Sequence, residues 1–242
     1  DFDGEQLHFS LLLEQPSVYF AYFAPYSYER HQDLLHTMQQ DYRVNLTTLG
    51  QTLDGRDMSL LSVGDAENAK HKVWVIARQH PGETMAEWFV VGLLGNLLDQ
   101  DNPLAIKLLE DTVFYVVPNM NPDGSVRGHL RTNAVGTNLN REWQNPTMER
   151  SPEVFLVREK VLELGGDLFL DIHGDEDLPY NFVAGCEGIP SYNERHKLLE
   201  DTFKEAFMAI SPDFQDTHGY AKDEPGQANL TIAAAWLGEQ FK

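Results

Sequence analysis

Short apolar runs alternate with amphipathic segments through the middle of the chain, and this alternation restricts the folds open to it. Residues 73–77 and 112–117 are almost continuously apolar, as is typical of strands buried on both faces of a sheet. Between them, residues 83–100 repeat apolar side chains at helical spacing. Residues 152–164 and 168–172 then repeat the order of helix and strand. The pattern predicts an α/β fold in which helices cover both faces of a sheet.

Further segments extend this prediction. Residues 44–49 and 58–63 are strand-like and flank the Asp-Gly-Arg sequence at 54–56, a combination typical of a β-hairpin. Residues 28–40 have the polar composition of an exposed helix, and residues 193–210 carry a second long amphipathic pattern. We therefore expect regular structure over most of the chain.

The first 24 residues differ in texture from the rest of the chain. Alternating apolar positions and an aromatic-rich run predict strands within residues 1–24. The Pro-Tyr-Ser-Tyr sequence at residues 25–28 then interrupts the pattern. We expect a domain boundary here, with residues 1–25 ending one domain and residues 26–242 forming another. The first piece holds two strands at most, too few to be stable alone.

The charge excludes several classes of partner. The chain has 18 Lys and Arg against 38 Asp and Glu, a net charge of −20. Affinity for nucleic acid or acidic lipid depends on Lys and Arg that neutralise phosphates, so we expect neither a nucleic-acid nor a membrane partner. The single cysteine, Cys186, cannot form an internal disulfide, and no apolar run is long enough to span a bilayer. These features predict a cytoplasmic protein.

A candidate metal-binding sequence, His-Pro-Gly-Glu at residues 80–83, lies where a predicted strand ends and a helix begins. Ligands collect at this edge of open α/β sheets. The Pro-Gly turn can bring the imidazole of His80 and the carboxylate of Glu83 toward one point, and both groups are good zinc ligands. A loop histidine and a glutamate that favours the helix dipole would fit the same residues.

A second candidate follows the strand predicted at residues 168–172. Asp171 and His173 project from the same face if the strand continues that far, because side chains alternate along a strand. His173 would complete a set of two histidines and a glutamate, which leaves a fourth zinc position open for water. Asp171 would either orient a ligand or remain an exposed aspartate at the strand end.

Three arginines, Arg127, Arg131 and Arg141, lie close together after the turn sequence Asn-Pro-Asp-Gly at residues 121–124. A guanidinium can hold a carboxylate through two parallel hydrogen bonds or stabilise a developing oxyanion. Any one of these arginines, taken alone, would equally fit a salt bridge to the surplus acids.

The chain carries four short motifs in order: His-Pro-Gly-Glu at 80–83, Asn-Pro-Asp-Gly at 121–124, Asn-Arg at 140–141 and His-Gly at 173–174. In this order they resemble the M14 family of zinc carboxypeptidases, in particular its cytosolic-carboxypeptidase-like branch. The resemblance covers nearly the whole chain. It implies a mixed, mainly parallel eight-stranded sheet between helices, preceded in residues 1–25 by the last strands of a small β-sandwich.

The resemblance also implies the metal site and the reaction. His80, Glu83 and His173 would hold one zinc ion per chain. Arg131 would polarise the scissile carbonyl and stabilise its oxyanion while zinc-activated water attacks. The protein would then be a metallocarboxypeptidase that hydrolyses C-terminal peptide bonds of peptides or protein tails.

Substrate-binding residues are implied in the same way. Asn140 and Arg141 match the pair that grips the substrate's terminal carboxylate, and Tyr220 is the candidate for the capping tyrosine. Relatives that trim glutamates carry an arginine in the side-chain pocket, but the corresponding residues 226–231 contain none. We therefore do not expect a preference for acidic C-terminal residues.

One expected catalytic residue is not assigned. The family's general base is a glutamate on a strand that follows the helix expected within residues 228–240, so we expect it beyond Lys242. Glu239 is near in sequence but falls in the turn after that helix, and we do not give it the role. Two alternatives stay open: a zinc amidohydrolase of small N-acyl amino acids, and a zinc protein that binds C-terminal tails without cutting them.

Overall fold

Five strands and seven α-helices are present in a computed structural model that describes residues 1–241. The strands are β1 (Val44–Gln51), β2 (Asp57–Val63), β3 (His71–Ala77), β4 (Thr112–Val117) and β5 (Leu168–Ile172). The helices are α1 (Tyr28–Met38), α2 (Met85–Leu97), α3 (Pro103–Leu109), α4 (Pro122–Arg127), α5 (Pro152–Leu164), α6 (Glu194–Ile210) and α7 (Ala233–Gln240). The elements predicted between residues 28 and 210 are all confirmed, although α3 and α4 were not expected.

The strands form one mixed sheet in the order β1-β2-β4-β3-β5. β1 pairs with β2 and β2 with β4 in antiparallel directions, whereas β3 is parallel to both β4 and β5. The mixed α/β sheet is as expected, but the prediction of eight mainly parallel strands is wrong for the described residues. The tight turn between β1 and β2 imposes antiparallel pairing, and most residues after β5 form loops and helices.

Residues 1–24 do not form the predicted strands. Their one ladder contact is an isolated bridge between Phe2 and Leu7, and most of their large apolar side chains are exposed. A strand needs a neighbouring strand to satisfy its backbone hydrogen-bonding groups, and within residues 1–241 this segment pairs with none. No β-sandwich is formed by the described residues, and the domain boundary near residue 25 stays a prediction.

Two apolar layers sandwich the sheet, as the helical pattern predicted. Along β3, Trp74 and Ile76 pack into the layer that includes α5 and α7. Val73 and Val75 point to the opposite layer, together with α1 and α2. This strand is therefore buried on both faces, which explains its continuous apolar sequence. None of the helices within residues 1–241 combines the length and the hydrophobicity that a bilayer span requires.

Parallel pairing brings the candidate motifs to one edge of the sheet. Ile76 of β3 is in register with Val117 of β4 and with Asp171 of β5. The carboxyl ends of these three strands therefore lie side by side. The chain leaves β3 into residues 78–84, leaves β4 into the Asn-Pro-Asp-Gly turn, and leaves β5 at His173. This is the edge at which open α/β sheets bind ligands.

Candidate metal centre

The loop between β3 and α2 places the first two candidate ligands in contact. Both His80 and Glu83 are buried, with Nδ1 of His80 2.6 Å from Oε1 of Glu83. The backbone N–H of Glu83 donates to the carbonyl of His80 at 3.1 Å, which closes a tight turn. The Pro-Gly sequence thus brings the imidazole and the carboxylate together, as predicted.

His173 reaches the same carboxylate from the end of β5. Its Nδ1 atom is 2.8 Å from Oε2 of Glu83, and the imidazole is partly buried. One ligand atom from each of His80, Glu83 and His173 lies within 4.8 Å of the others. Two imidazole nitrogens and a carboxylate oxygen form the donor set that zinc binds in catalytic sites, so the residues present fit that metal.

The outer nitrogen of each imidazole has its own partner. Nε2 of His80 is 3.0 Å from Oδ1 of Asn138, and Nε2 of His173 is 2.9 Å from Oδ2 of Asp171. Oδ1 of Asn138 also accepts a backbone hydrogen bond, so it acts as an acceptor. Because each Nε2–H donates outward, the Nδ1 atoms are the ring nitrogens that face the centre and that would bind a metal in place of their protons. Such partners fix the tautomer and ring orientation of metal-binding histidines.

Gln79 supports this arrangement, although its sequence context did not single it out. Its buried side chain donates from Nε2 to Oδ2 of Asp171 at 2.7 Å and accepts from Nε1 of Trp143 at 2.9 Å. Asp171 is thereby held against His173, in the orienting position that the sequence left open. The available signal was a polar residue two positions after a buried apolar strand.

Charges in the centre are opposite and adjacent. Burial raises the pKa of Glu83, but hydrogen bonds from His173 and His80 outweigh it and lower that pKa to about 2. Burial lowers the pKa of His173, but the neighbouring Asp171 charge and hydrogen bonds raise it to about 10. The Glu83 carboxylate is therefore anionic and His173 is a cationic imidazolium. A metal cation would displace the proton on its Nδ1 atom.

The loop of residues 78–84 between β3 and α2 is called the metal loop. The Asn-Pro-Asp-Gly turn packs directly beneath it. Nδ2 of Asn121 donates to the carbonyl of Gln79 at 3.0 Å. A Cβ atom on Gly124 would collide with the ring of Pro81, so glycine permits this close approach. The buried carboxylate of Asp123 accepts hydrogen bonds from Thr52 and from the Asp54 backbone, which ties the β1–β2 hairpin to the same turn.

Arg131 and Asn140 both lie at the centre. Nη1 of Arg131 is 3.9 Å from Oε1 of Glu83, and this side chain is 53% exposed. Nδ2 of Asn140 is 3.3 Å from Nε2 of His173, and its Oδ1 accepts from the backbone of Ala233 at 2.8 Å. Their proposed contacts with a substrate stay predictions.

Arg141 lies beside Asn140 in the 3-10 turn Leu139–Arg141. It is exposed, and its Nη1 donates to the carbonyl of Asn140 at 2.6 Å. Arg127 instead donates to Asp54 at 2.6 Å, as the salt-bridge interpretation of the arginines anticipated. Arg127 is therefore part of a structural ion pair, Arg131 lies beside the candidate ligand Glu83, and Arg141 is exposed next to Asn140.

Tyr220 is anchored to the loop that follows His173. Its hydroxyl donates to Oδ2 of Asp175 at 2.5 Å, and its ring meets that of Phe182 edge to face. Burial and the Asp175 charge raise the pKa of Tyr220 to about 12, so the hydroxyl stays protonated. Glu239 lies inside α7, so its predicted place in the turn after that helix is wrong, and it accepts from the Ser191 backbone at 2.9 Å. The expected general base beyond Lys242 lies outside the described residues.

Comparison with known families agrees with this geometry. Residues 31–236 match the family model described as Peptidase_M14, zinc carboxypeptidase. The chain therefore belongs to the zinc carboxypeptidase family.

Particular relatives share both sequence and fold. Mouse cytosolic carboxypeptidase 6 is 32% identical over 180 residues, which is 69% of this chain and 33% of that protein. A metallo-carboxypeptidase from Burkholderia cenocepacia is 53% identical with a TM-score of 0.87, covering 90% of this chain and 58% of that one. A metallo-carboxypeptidase from Pseudomonas aeruginosa, in complex with (2-guanidinoethylmercapto)succinic acid, is 48% identical with the same TM-score and coverage. The chain thus spans little more than half of these solved relatives.

Proposed function

We propose that this protein is a zinc metallocarboxypeptidase that removes C-terminal residues from peptides or protein tails. The observation that carries this proposal is the convergence of His80, Glu83 and His173, with both Nδ1 atoms directed at one carboxylate. Two solved relatives are named metallo-carboxypeptidases, and the family match covers most of the chain.

His80, Glu83 and His173 would hold one zinc ion. When bound, zinc supplies Lewis-acid activation of the peptide carbonyl and of a water molecule. Asn138 and Asp171 accept from the two Nε2–H groups and keep both imidazoles oriented with Nδ1 toward Glu83, while Gln79 holds Asp171.

Arg131 would stabilise the oxyanion that develops on the scissile carbonyl. Its guanidinium lies beside Glu83 and is half exposed, so a substrate can reach it without displacing a buried contact. A preorganised cation at a developing oxyanion is among the larger contributions to acyl-transfer catalysis.

Asn140 and Arg141 would bind the terminal carboxylate of the substrate. Arg141 uses one nitrogen to reach the carbonyl of Asn140, which leaves other guanidinium N–H groups for a planar carboxylate. Asn140 is fixed from behind by the Ala233 backbone. Such a pair would restrict cleavage to the last peptide bond of a chain.

Tyr220 would cover the bound residue. Asp175 anchors its hydroxyl at the rim of the site, and Tyr220 is 58% exposed, so the ring has room to move. The absence of arginine from residues 226–231, together with the net charge of −20, argues against acidic C-terminal residues as the preferred substrates. A cytoplasmic location belongs to the proposal, supported by the name of the mouse relative.

A digest of a mixed peptide library, followed by mass spectrometry, tests this function. We expect loss of single C-terminal residues that requires zinc, and no shortening of the same peptides with amidated C termini. Internal cleavage would contradict the proposal. Release of small N-acyl amino acids without peptide shortening would favour the amidohydrolase, and peptide binding without products would favour a non-catalytic tail binder.

A further inference from the structure

A buried ion cluster lies directly behind the metal loop, and the proposed chemistry does not use it. The carboxylate of Glu87 on α2 is fully buried, with Oε1 2.9 Å from Nδ1 of the buried His31 on α1. Its other oxygen accepts hydrogen bonds from the Arg78 guanidinium and, at 3.2 Å, from Nδ2 of Asn119. Both carboxylate oxygens are therefore occupied, and α1, α2 and the end of β3 meet at one charge.

The guanidinium of Arg78 contacts more than this carboxylate. Its Nε donates to the carbonyl of Pro81 at 2.8 Å, and Nη1 also donates to the carbonyl of Tyr26 at 3.0 Å. Pro81 lies between the two candidate ligands His80 and Glu83. The side chain of Arg78 thus folds back onto its own loop, and its bond to the Pro81 carbonyl fixes the backbone between those two ligands.

The backbone of Arg78 is unusual for its residue type. Among residues 1–241 it is the one non-glycine residue with a positive φ, at 58°. Glycine adopts this left-handed conformation freely, whereas a residue with a Cβ atom is strained there. Strain at a functional loop persists where surrounding contacts over-determine it, and here the buried guanidinium supplies such contacts.

We propose that Arg78 is a positioning residue for the metal centre: its guanidinium holds the Pro81 carbonyl so that His80 and Glu83 converge, and Glu87 with His31 holds the guanidinium. The proposal rests on the zinc site of the proposed function. Metal affinity would then depend partly on His31 of α1 and on Tyr26, which are remote in sequence from the ligands.

The variant Arg78→Gly separates the two properties of this residue. Glycine suits the left-handed backbone, so the loop loses only the side-chain contacts. We expect zinc affinity, measured by competition with a zinc-binding dye, to fall about 10- to 100-fold, the range typical for loss of outer partners of a metal site. Arg43→Gly is a matched control, because Arg43 is also partly buried, pairs with Asp41 and donates to the Leu98 carbonyl. The control should leave zinc affinity unchanged.

A double variant distinguishes positioning from general destabilisation. Arg78→Gly leaves Glu87 buried without its cation, which lowers stability in its own right. Adding Glu87→Gln removes that buried charge, so the melting temperature of the metal-free protein should rise again while zinc affinity stays low. Arg78→Lys should restore affinity only in part, since an ammonium cannot reproduce the fork that contacts Pro81 and Glu87 together.

Two results would overturn the proposal: unchanged zinc affinity in Arg78→Gly, or full recovery of zinc affinity in the double variant. If Arg78→Gly does not fold, the double variant carries the same comparison. Failure of the zinc site on which the proposal rests would look different, because the unmutated protein itself would then bind no zinc. Failure of the proposed peptidase activity alone would leave the relative zinc affinities of the unmutated protein and the variants unchanged.

Discussion

Protonation of Glu153 should make the protein's stability depend on pH. This glutamate is the second residue of α5 and is fully buried. Its oxygens lie 3.2 and 3.4 Å from Nδ2 of Asn133. The Oδ1 atom of Asn133 accepts from the backbones of Val135 and Thr137, which shapes the loop leading to Asn140 and Arg141, the candidate substrate-binding residues. The charge state of Glu153 therefore bears on the site as well as on the fold.

The sign and size of the effect are set by the pKa of this carboxyl. Burial raises the pKa of Glu153 from 4.5 to about 7. The neutral carboxyl contributes its full stabilisation below pH 4.5. As pH rises this contribution falls, because the carboxyl ionises first in the unfolded chain, and it is lost once pH passes the folded pKa of about 7. A shift of this size corresponds to about 3 kcal/mol, because one pKa unit is worth about 1.4 kcal/mol. Most of that loss, about 2 kcal/mol, falls between about pH 5 and pH 8.

The variant Glu153→Gln has no proton to lose. Relative to the unmutated protein, its free energy of unfolding, measured by urea denaturation of the metal-free protein, should rise by about 2 kcal/mol between about pH 5 and pH 8. Glu163→Gln on the same helix is the control, because Glu163 is 62% exposed and pairs with Lys160 at the surface. Parallel pH profiles for Glu153→Gln and the unmutated protein would refute the reasoning.

Three further predictions concern the site. His173→Ala should lose most bound zinc by elemental analysis, because two protein ligands rarely hold catalytic zinc tightly; unchanged zinc content would remove His173 from the site. Arg141→Ala should lower kcat/KM on free-acid peptides by the equivalent of about 2–4 kcal/mol, and Arg141→Lys should restore it only in part. The control Arg127→Ala should have no effect. Equal rates on amidated and free-acid peptides would contradict the carboxylate role. Gln79→Leu should weaken zinc binding by about 10–100-fold through loss of its hold on Asp171, and unaltered affinity would reduce Gln79 to a packing residue.

Local pattern was enough to predict the centre of the fold. The apolar run of β3 and the helical spacing of α2 are set by burial on both faces of one sheet, so they are visible in sequence. The convergence of the candidate metal ligands was predictable for a related reason. His80 and His173 each follow a parallel strand, and parallel strands deliver their carboxyl ends to the same edge.

Other features depend on contacts between distant residues, which local pattern does not encode. Residues 1–24 alternate like a strand, but within residues 1–241 they pair with no neighbouring strand, so alternation alone was misleading. Gln79 reaches Asp171 across 92 positions, and Glu87 meets His31 across 56. The place of Gln79 after an apolar strand marked it as unusual, but nothing in the immediate sequence of any of these side chains identifies its partner. The family resemblance implied eight strands, whereas residues 1–241 form five, because most residues after β5 lie in loops and helices.

The coordination of zinc in the loaded protein tests the central claim most directly. X-ray absorption at the zinc edge reports the elements bound to the metal and the number of imidazole rings among them. We expect two imidazoles and a carboxylate oxygen in the unmutated protein, and one imidazole fewer in whatever zinc remains in His173→Ala. A sulfur ligand from Cys186, or a spectrum that His173→Ala leaves unchanged, would contradict the claim that His80, Glu83 and His173 hold the metal.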